Sequence, residues 1–356
     1  MRGSGLVSVL TTHAGHTLVP TLCRVSETGT DTDVRLRPCS VAVFAPSPVL
    51  TITVEPGHAD PEIHLHAGGQ GFWVARMAAR LGAEVRLCVP LGGETGTVLE
   101  SLLETGGIKL ISTRVGGDNG AYLHDRRSGE RMKIAETSSP ALQRHELDDL
   151  YDATLAAGLS SELTLLTGPQ NDDVLPADTY ERLTHDLKEN GRFVLGDLSG
   201  EALAAALRGR VDMIKASDEE LARYGLGKGT DTRQVIATAR QLRERGAANV
   251  LISRGDRTAV ALLEDRLLGV SGPHFVALDE RGAGDSMFAG VGVALASGLE
   301  VEDALRVGVA AGALNVTRHG LGTGDPKEIA SIAAQVEVAP LEPDGAGQDS
   351  AATTAS

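Results

Sequence analysis

From residue 145 onward, short apolar runs alternate with segments whose apolar positions recur every three or four residues. LTLLTG (163–168), RFVLGD (192–197), VDMIKA (211–216) and NVLISR (249–254) are of the first kind and predict strands. Between them, 145–157, 178–190, 201–207, 218–224 and 231–245 predict helices, and 284–297, 301–318 and 326–335 predict a helical finish. Upstream, VAVFAP (41–46) and 85–89 predict further strands, with helices at 71–82 and 95–105. Alternation of this kind predicts an α/β fold with a mostly parallel central sheet and helices on both faces. LTITVE (50–55), EIHLHA (62–67), 120–125 and 131–135 alternate apolar with polar positions and do not fit strand–helix–strand units. They predict a small β lid, from about 50–67 and 118–136, placed to close over a substrate and exclude water.

The ends of the chain carry no sustained periodicity. Residues 1–39 are expected to be a disordered extension and 339–356 a disordered tail, leaving 40–338 as the folded domain. Of the 356 residues 42% are apolar but only 3% aromatic, so the core has to be built from Ala, Leu and Val. The net charge of −15 opposes a nucleic acid or an anionic membrane as partner and leaves a small molecule as the expected one. ATP is not excluded, because local dipoles and one metal ion can hold it. Cys23, Cys39 and Cys88 are unclustered, which predicts neither a disulfide framework nor a zinc site. With no apolar run approaching ~18 residues and no signal-peptide pattern, a cytoplasmic location is expected.

The chemistry concentrates at Asp279-Glu280-Arg281-Gly282-Ala283-Gly284-Asp285-Ser286-Met287. Pro273 to Leu278 predicts a short strand ahead of it, and an apolar, small-residue helix follows. Two glycines let the amides of the turn converge on one point, where they and the helix dipole can hold a migrating phosphoryl group. Asp285 at that rim is placed to take the proton from an attacking alcohol. The plain alternative is a glycine turn whose Asp caps a helix.

Three separated signals occur in order: Ala67-Gly68-Gly69-Gln70-Gly71 opening a helix, Ile214-Lys215-Ala216-Ser217-Asp218-Glu219-Glu220-Leu221 ending a strand, and the G-A-G-D turn. Together they resemble a ribokinase-fold sugar kinase of the PfkB family. Gly196-Asp197-Leu198-Ser199-Gly200-Glu201-Ala202-Leu203 and Gly282 to Met287 are most similar to its 1-phosphofructokinase branch, a likeness spanning about 41 to 338. The resemblance implies an ATP-dependent phosphotransferase using Mg²⁺. Within it Asp285 is the catalytic base, and Gly282, Ala283 and Gly284 form the anion hole. Gly68 and Gly69 match the glycines where the backbone meets the acceptor, and Glu220 matches the Glu of the N-x-x-E motif that positions Mg²⁺. Ser217, Ser253, Gly255 and Asp256 match the ATP site, and Asn315 lies on the late helix that borders the adenine. Each position also has a structural reading: a tight turn for Gly68-Gly69, an acidic helix start for Glu220, a surface or capping role for Asn315.

The departures fall on the acceptor side. The branch reads G-G-K-G-x-N, whereas Gln70 and Trp73 stand in place of Lys and Asn. Its N-P-A-x-D corresponds to Ala45-Pro46-Ser47-Pro48-Val49, without the carboxylate, and its lid Thr-Arg pair falls at Asn119-Gly120. Loss of both cations argues against a sugar phosphate as acceptor. Trp73 either stacks on a ring-shaped acceptor or fills the core, and His64 and His66, sharing a strand face, either contact the acceptor or are solvated. Arg281 either neutralises a phosphate or pairs with Asp279 or Glu280. The second functional reading is a ribokinase-fold binding or regulatory protein with little kinase activity. A homodimer through the lid is expected from its exposed strand edges and apolar faces.

Overall fold

The computed structural model describes residues 36–342, except 228–230, 265, 277 and 318–320. The first strand is β1 (Ser40–Phe44), followed by β2 (Val49–Glu55), β3 (Glu62–Gly68) and helix α1 (Gln70–Arg80). Next come β4 (Glu84–Gly92), α2 (Gly93–Leu103), β5 (Ile108–Val115), β6 (Gly120–Asp125) and β7 (Met132–Thr137). The regular part runs α3 (Arg144–Leu159), β8 (Leu163–Thr167), α4 (Asp178–Glu189), β9 (Phe193–Asp197), α5 (Gly200–Arg208) and β10 (Met213–Ser217). It continues with α6 (Asp218–Arg223), α7 (Thr232–Glu244), β11 (Asn249–Arg254), β12 (Arg257–Leu263) and β13 (Arg266–Ser271). The last elements are α8 (Ala283–Ala296), α9 (Val301–Val316), α10 (Pro326–Ala333) and β14 (Glu337–Pro340).

Ten strands form one sheet in the order β14-β13-β12-β11-β10-β9-β8-β1-β4-β5. From β11 to β5 neighbouring strands are parallel, while β12, β13 and β14 extend the other edge antiparallel. Strand residues divide between two cores, as a sheet covered on both faces requires. Val41, Val43, Leu165 and Leu195 pack with α1, α8 and α9 on one face, and Phe44, Leu166, Val194 and Ile214 pack with α4, α5 and α7 on the other. The four half-exposed strands form a separate sheet in the order β3-β2-β6-β7.

Several expectations need correction. Residues 273–278 form no strand among those described; Pro273 has no N–H to give a ladder, and Phe275, Val276 and Leu278 are exposed. Strand β5 had no prediction because Lys109, Ser112, Thr113 and Arg114 interrupt its apolar run, as suits the end of a sheet. The fold also exceeds the expected boundaries. At one end Arg37 donates to the Ser297 carbonyl and Cys39 is buried; at the other β14 pairs with β13 and the Leu341 N–H donates to the Leu267 carbonyl. Residues 36–39 and 339–341 are therefore ordered by the core, whereas 1–35 and 343–356 lie outside the described residues.

Strands β1, β8, β9, β10 and β11 are parallel and end on the same edge of the sheet. Moving outward from β1, sequence order runs through β8 and β9 on one side and β4 and β5 on the other. A crevice at the carboxyl ends of strands, where the order reverses, is where open α/β sheets bind ligands.

Candidate active site

Helix α8 begins at that edge. Its N-cap Gly282 has a left-handed conformation (φ 72°, ψ 3°), and no side chain caps the terminus. Asp285 lies in the first turn. The Ser286 N–H closes the first helical bond to the Gly282 carbonyl at 2.9 Å, so the amides of Gly284 and Asp285 have no acceptor within the helix. The loop is held from behind by Asn315, which is 1% exposed. Its amide donates to the Arg281 carbonyl at 2.8 Å and accepts from the Gly322 N–H at 3.0 Å. Both ends of the Asn315 side chain thus engage the loop that leads into α8 and the segment after α9.

Asp285 is half-buried and faces three other charged groups. Burial pushes its carboxyl up to about 7; Asp197 and Glu220 add to the rise, and Lys215 and Gln70 oppose it. Asp197 ends β9 and is pushed up to about 6 by its own burial, against the pull of Lys215. Lys215 projects from the interior of β10, and its Nζ lies 2.9 Å from Asp197 Oδ2, with both residues buried. Burial works to lower the Lys215 ammonium, yet Asp197, Glu220 and Asp285 outweigh it and its pKa ends above the ordinary value. Gln70 spans the crevice, accepting from the Gly168 N–H at 2.8 Å and donating to the Asp197 carbonyl at 3.4 Å. The sequence shows this pair only as charges inside otherwise apolar strands, a violation of pattern that marks a site.

The nucleotide-side residues divide. Ser217 and Glu220 form a capping box on α6: the Glu220 N–H donates to Ser217 Oγ at 3.1 Å, and Glu220 Oε2 accepts from the Ser217 N–H and hydroxyl. Ser253 lies beside Ser217 in the β10–β11 pairing. Gly255 takes φ 63° in the turn after β11, where a Cβ would meet open space, and Asp256 is exposed beside it. Arg281 pairs with Asp279 on the surface, its Nε donating at 2.8 Å.

On the acceptor side, Gly68 and Gly69 end β3 and cap α1. Gly69 has φ 99°, and a Cβ there would stand 2.6 Å from the Ser47 carbonyl oxygen. Trp73 is half-buried, tilted against Phe72 at 5.1 Å, with its ring edge over Gly68, where a Cβ would lie 3.5 Å from Cζ2. It therefore covers the glycine turn as well as filling the core. His66 lines a separate cavity of about 580 Å³ with Leu65, Phe72, Arg76 and Arg80, and Asp285 is not part of that lining. Burial lowers the His66 pKa, and no group of three possible metal ligands exists among the described residues.

The polar face of the lid adds residues that carry no signal in the sequence. Gln170 links lid to crevice, its Nε2 donating to the Tyr122 hydroxyl at 2.9 Å and its N–H to Ser47 Oγ at 3.0 Å. Arg131, from the turn before β7, approaches His124 Nδ1 at 3.3 Å, within electrostatic reach of Tyr122 and of Asp279 in the loop before α8.

A mostly parallel sheet flanked by helices, with a glycine turn opening a helix at its carboxyl edge and a small second sheet beside it, defines a ribokinase-like fold. The Arabidopsis thaliana ribokinase complexed with ribose and ATP shares the fold, with a TM-score of 0.65 over 83% of this chain and 99% of that one at 20% identity. The sequence matches the pfkB family of carbohydrate kinases over residues 45–328, and the chain belongs to that family. It is 27% identical to the 1-phosphofructokinase of Vibrio cholerae over 281 residues, 78% of this chain and 88% of that protein. It is 29% identical to the ATP-dependent 6-phosphofructokinase isozyme 2 of Escherichia coli over 260 residues, covering 71% and 82%. The Escherichia coli phosphofructokinase-2 structure in complex with potassium superposes with a TM-score of 0.73 over 83% of this chain and 98% of that one, at 24% identity. The protein is a carbohydrate kinase, and no helix among its described residues is long and apolar enough to cross a membrane.

Proposed function

We propose that this chain transfers the γ-phosphoryl group of ATP to a hydroxyl of a sugar phosphate, with Asp285 as general base and the Gly282-Ala283-Gly284 turn as anion hole. The observation that carries this reading is the uncapped start of α8 with the raised Asp285 carboxyl in its first turn. In the transfer the acceptor oxygen bonds to the γ-phosphorus as the bond to the β–γ bridging oxygen breaks. ADP leaves, and Asp285 receives the hydroxyl proton. Magnesium bound with the nucleotide would neutralise the phosphate oxygens. Glu220 fits that role through water, since Oε2 is engaged at the α6 cap and the described residues hold no three-ligand cage. Ser217, Ser253, Gly255 and Asp256 edge the nucleotide side at the ends of β10 and β11, and Gly68, Gly69, Gln70 and Trp73 edge the acceptor side.

A phosphorylated acceptor is favoured on two grounds. The relatives include phosphofructokinases and a tagatose-6-phosphate kinase from Staphylococcus epidermidis, 26% identical over 277 residues. Cations are missing at two motif positions, Gln70 and Gly120, but Arg131 brings a guanidinium to the lid's polar face from a third. ADP release across free hexoses, hexose phosphates and nucleosides tests the reading: turnover is expected with a hexose phosphate, and turnover confined to nucleosides or free sugars contradicts it. Arg131→Met is expected to raise KM for the phosphorylated acceptor about 10- to 100-fold, as for a lost charge-assisted bond, with a smaller change in kcat. An unchanged KM would remove Arg131 from the site.

The lid also supports a dimer. By register Ile52 lies between Leu65 and Leu123, and Val54 opposite Ile63, so one face of the lid is apolar. Its root joins the core through Leu50 and Ala67, but Ile63 and Leu65 are 66% and 44% exposed. A second copy covering this face would give twice the 37.0 kDa chain mass in light scattering, and Ile63→Lys/Leu65→Lys would return it to one. A monomeric wild type at micromolar concentration would count against the dimer.

A further inference from the structure

We propose that Lys215 is a working part of the transfer site: its ammonium meets the phosphoryl group held at the Gly282–Gly284 turn, and Asp197 holds it there. The proposal rests on the kinase reading above and adds a residue to it. Three observations carry it. Lys215 is 5% exposed, and among the described residues Asp197 is its hydrogen-bond partner. An ammonium has three N–H donors, so a buried one bonded to a single carboxylate keeps donors that require another acceptor. Second, Nζ stands at the anion-hole turn itself, because a Cβ on Gly284 would lie 2.6 Å from it. Gly284 leaves the space that the Lys215 ammonium occupies. Third, Asp197 is itself buried at the end of β9, and its backbone carbonyl receives Gln70, which also accepts from the Gly168 N–H beyond β8, so the pair is tied to the start of α1. A pair serving stability alone is replaceable by apolar side chains at little or no loss.

In the transfer Lys215 moves no proton. The proton goes from acceptor hydroxyl to Asp285, and Lys215 offsets the charge that spreads over the phosphoryl oxygens. The titratable groups facing Asp285 are Asp197, Lys215 and Glu220, and a fixed cation among them also lowers the pH at which Asp285 ionises.

Two variants test this. Lys215→Met removes the cation, and Lys215→Met/Asp197→Asn also removes the charge of Asp197, so that the buried ion pair becomes two neutral side chains. Both are expected to lower kcat about 10²- to 10³-fold, as for loss of one transition-state donor. In the single variant the acid limb of kcat/KM moves to higher pH, and in the double variant it returns toward wild type. Calorimetry gives a readout independent of the acceptor: Lys215→Met should weaken ATP relative to ADP by about tenfold or more, because only ATP carries the group that Lys215 meets. A double variant with kcat within about threefold of wild type would show a role in folding alone and overturn the proposal. An unchanged ratio of ATP to ADP affinity would overturn it as well. If the wild type transferred phosphate to no acceptor, the proposed function would fall and the affinity ratio would still decide for or against Lys215.

Discussion

Asp285→Asn is expected to lower kcat by about 10²- to 10⁴-fold, the range for a lost general base, while leaving the protein at least as stable as wild type at pH 8. The second half follows from the sign of the pKa shift. Burial, seconded by Asp197, raises the folded-state value from 3.8 to about 7. The ionised carboxyl therefore opposes folding, increasingly as pH rises from the unfolded value through the folded one. Asparagine has nearly the same shape and no charge to desolvate, so the thermal midpoint of the variant should exceed that of wild type at pH 8, the difference closing as pH falls toward 4. A variant that lost activity and also melted lower at pH 8 would make Asp285 a structural residue. Retained turnover would remove it as the base.

Gly69→Ala should act in the opposite manner, through stability and acceptor binding together. The position combines φ 99° with a Cβ site 2.6 Å from the Ser47 carbonyl oxygen. Backbone strain at such a position costs about 1–3 kcal/mol, and the contact adds to it because a backbone carbonyl cannot rotate aside as a side chain end can. A drop of several degrees in thermal midpoint is expected for a chain of this size. Relief of the contact shifts the start of α1, which carries Gln70 and Trp73, so KM for the acceptor should rise more than KM for ATP. Equal effects on both would place the Gly68-Gly69 turn outside the acceptor site. Gly82→Ala is the matched control: φ is 93° there, but a Cβ meets nothing within 4 Å, so the midpoint should fall less and KM stay as it was.

Much of this architecture is legible in the sequence because a sheet covered on both faces writes its strands as apolar runs. VAVFAP, LTLLTG and NVLISR show it, and β1, β8 and β11 form where those runs lie. Strand β5 and segment 273–278 fail for opposite reasons: polar residues disguise an outer strand, and an exposed apolar run imitates one. The glycine turn ahead of α8 is legible because Gly282 and Gly284 sit where a side chain would be strained or would meet Lys215. What the sequence withholds is convergence. Nothing local connects Gln70 with Gly168 and Asp197, or Asn315 with Arg281, since those contacts depend on helices, loops and strand ends brought together by the fold. Arg131 is hidden in the same way, because only the fold brings the turn before β7 beside His124. Lys215 and Asp197 do leave a trace, as charges within apolar strands, but their partners become identifiable only in the fold.

The most direct test of phosphoryl transfer through Asp285 is the pH dependence of kcat/KM for the wild-type chain with ATP and a hexose phosphate. The raised carboxyl predicts an acid limb with an apparent pKa near 7, below which activity falls about tenfold per pH unit as the base takes up its proton. A profile that stays flat down to pH 5, as an ordinary carboxylate or no base at all would give, contradicts the assignment.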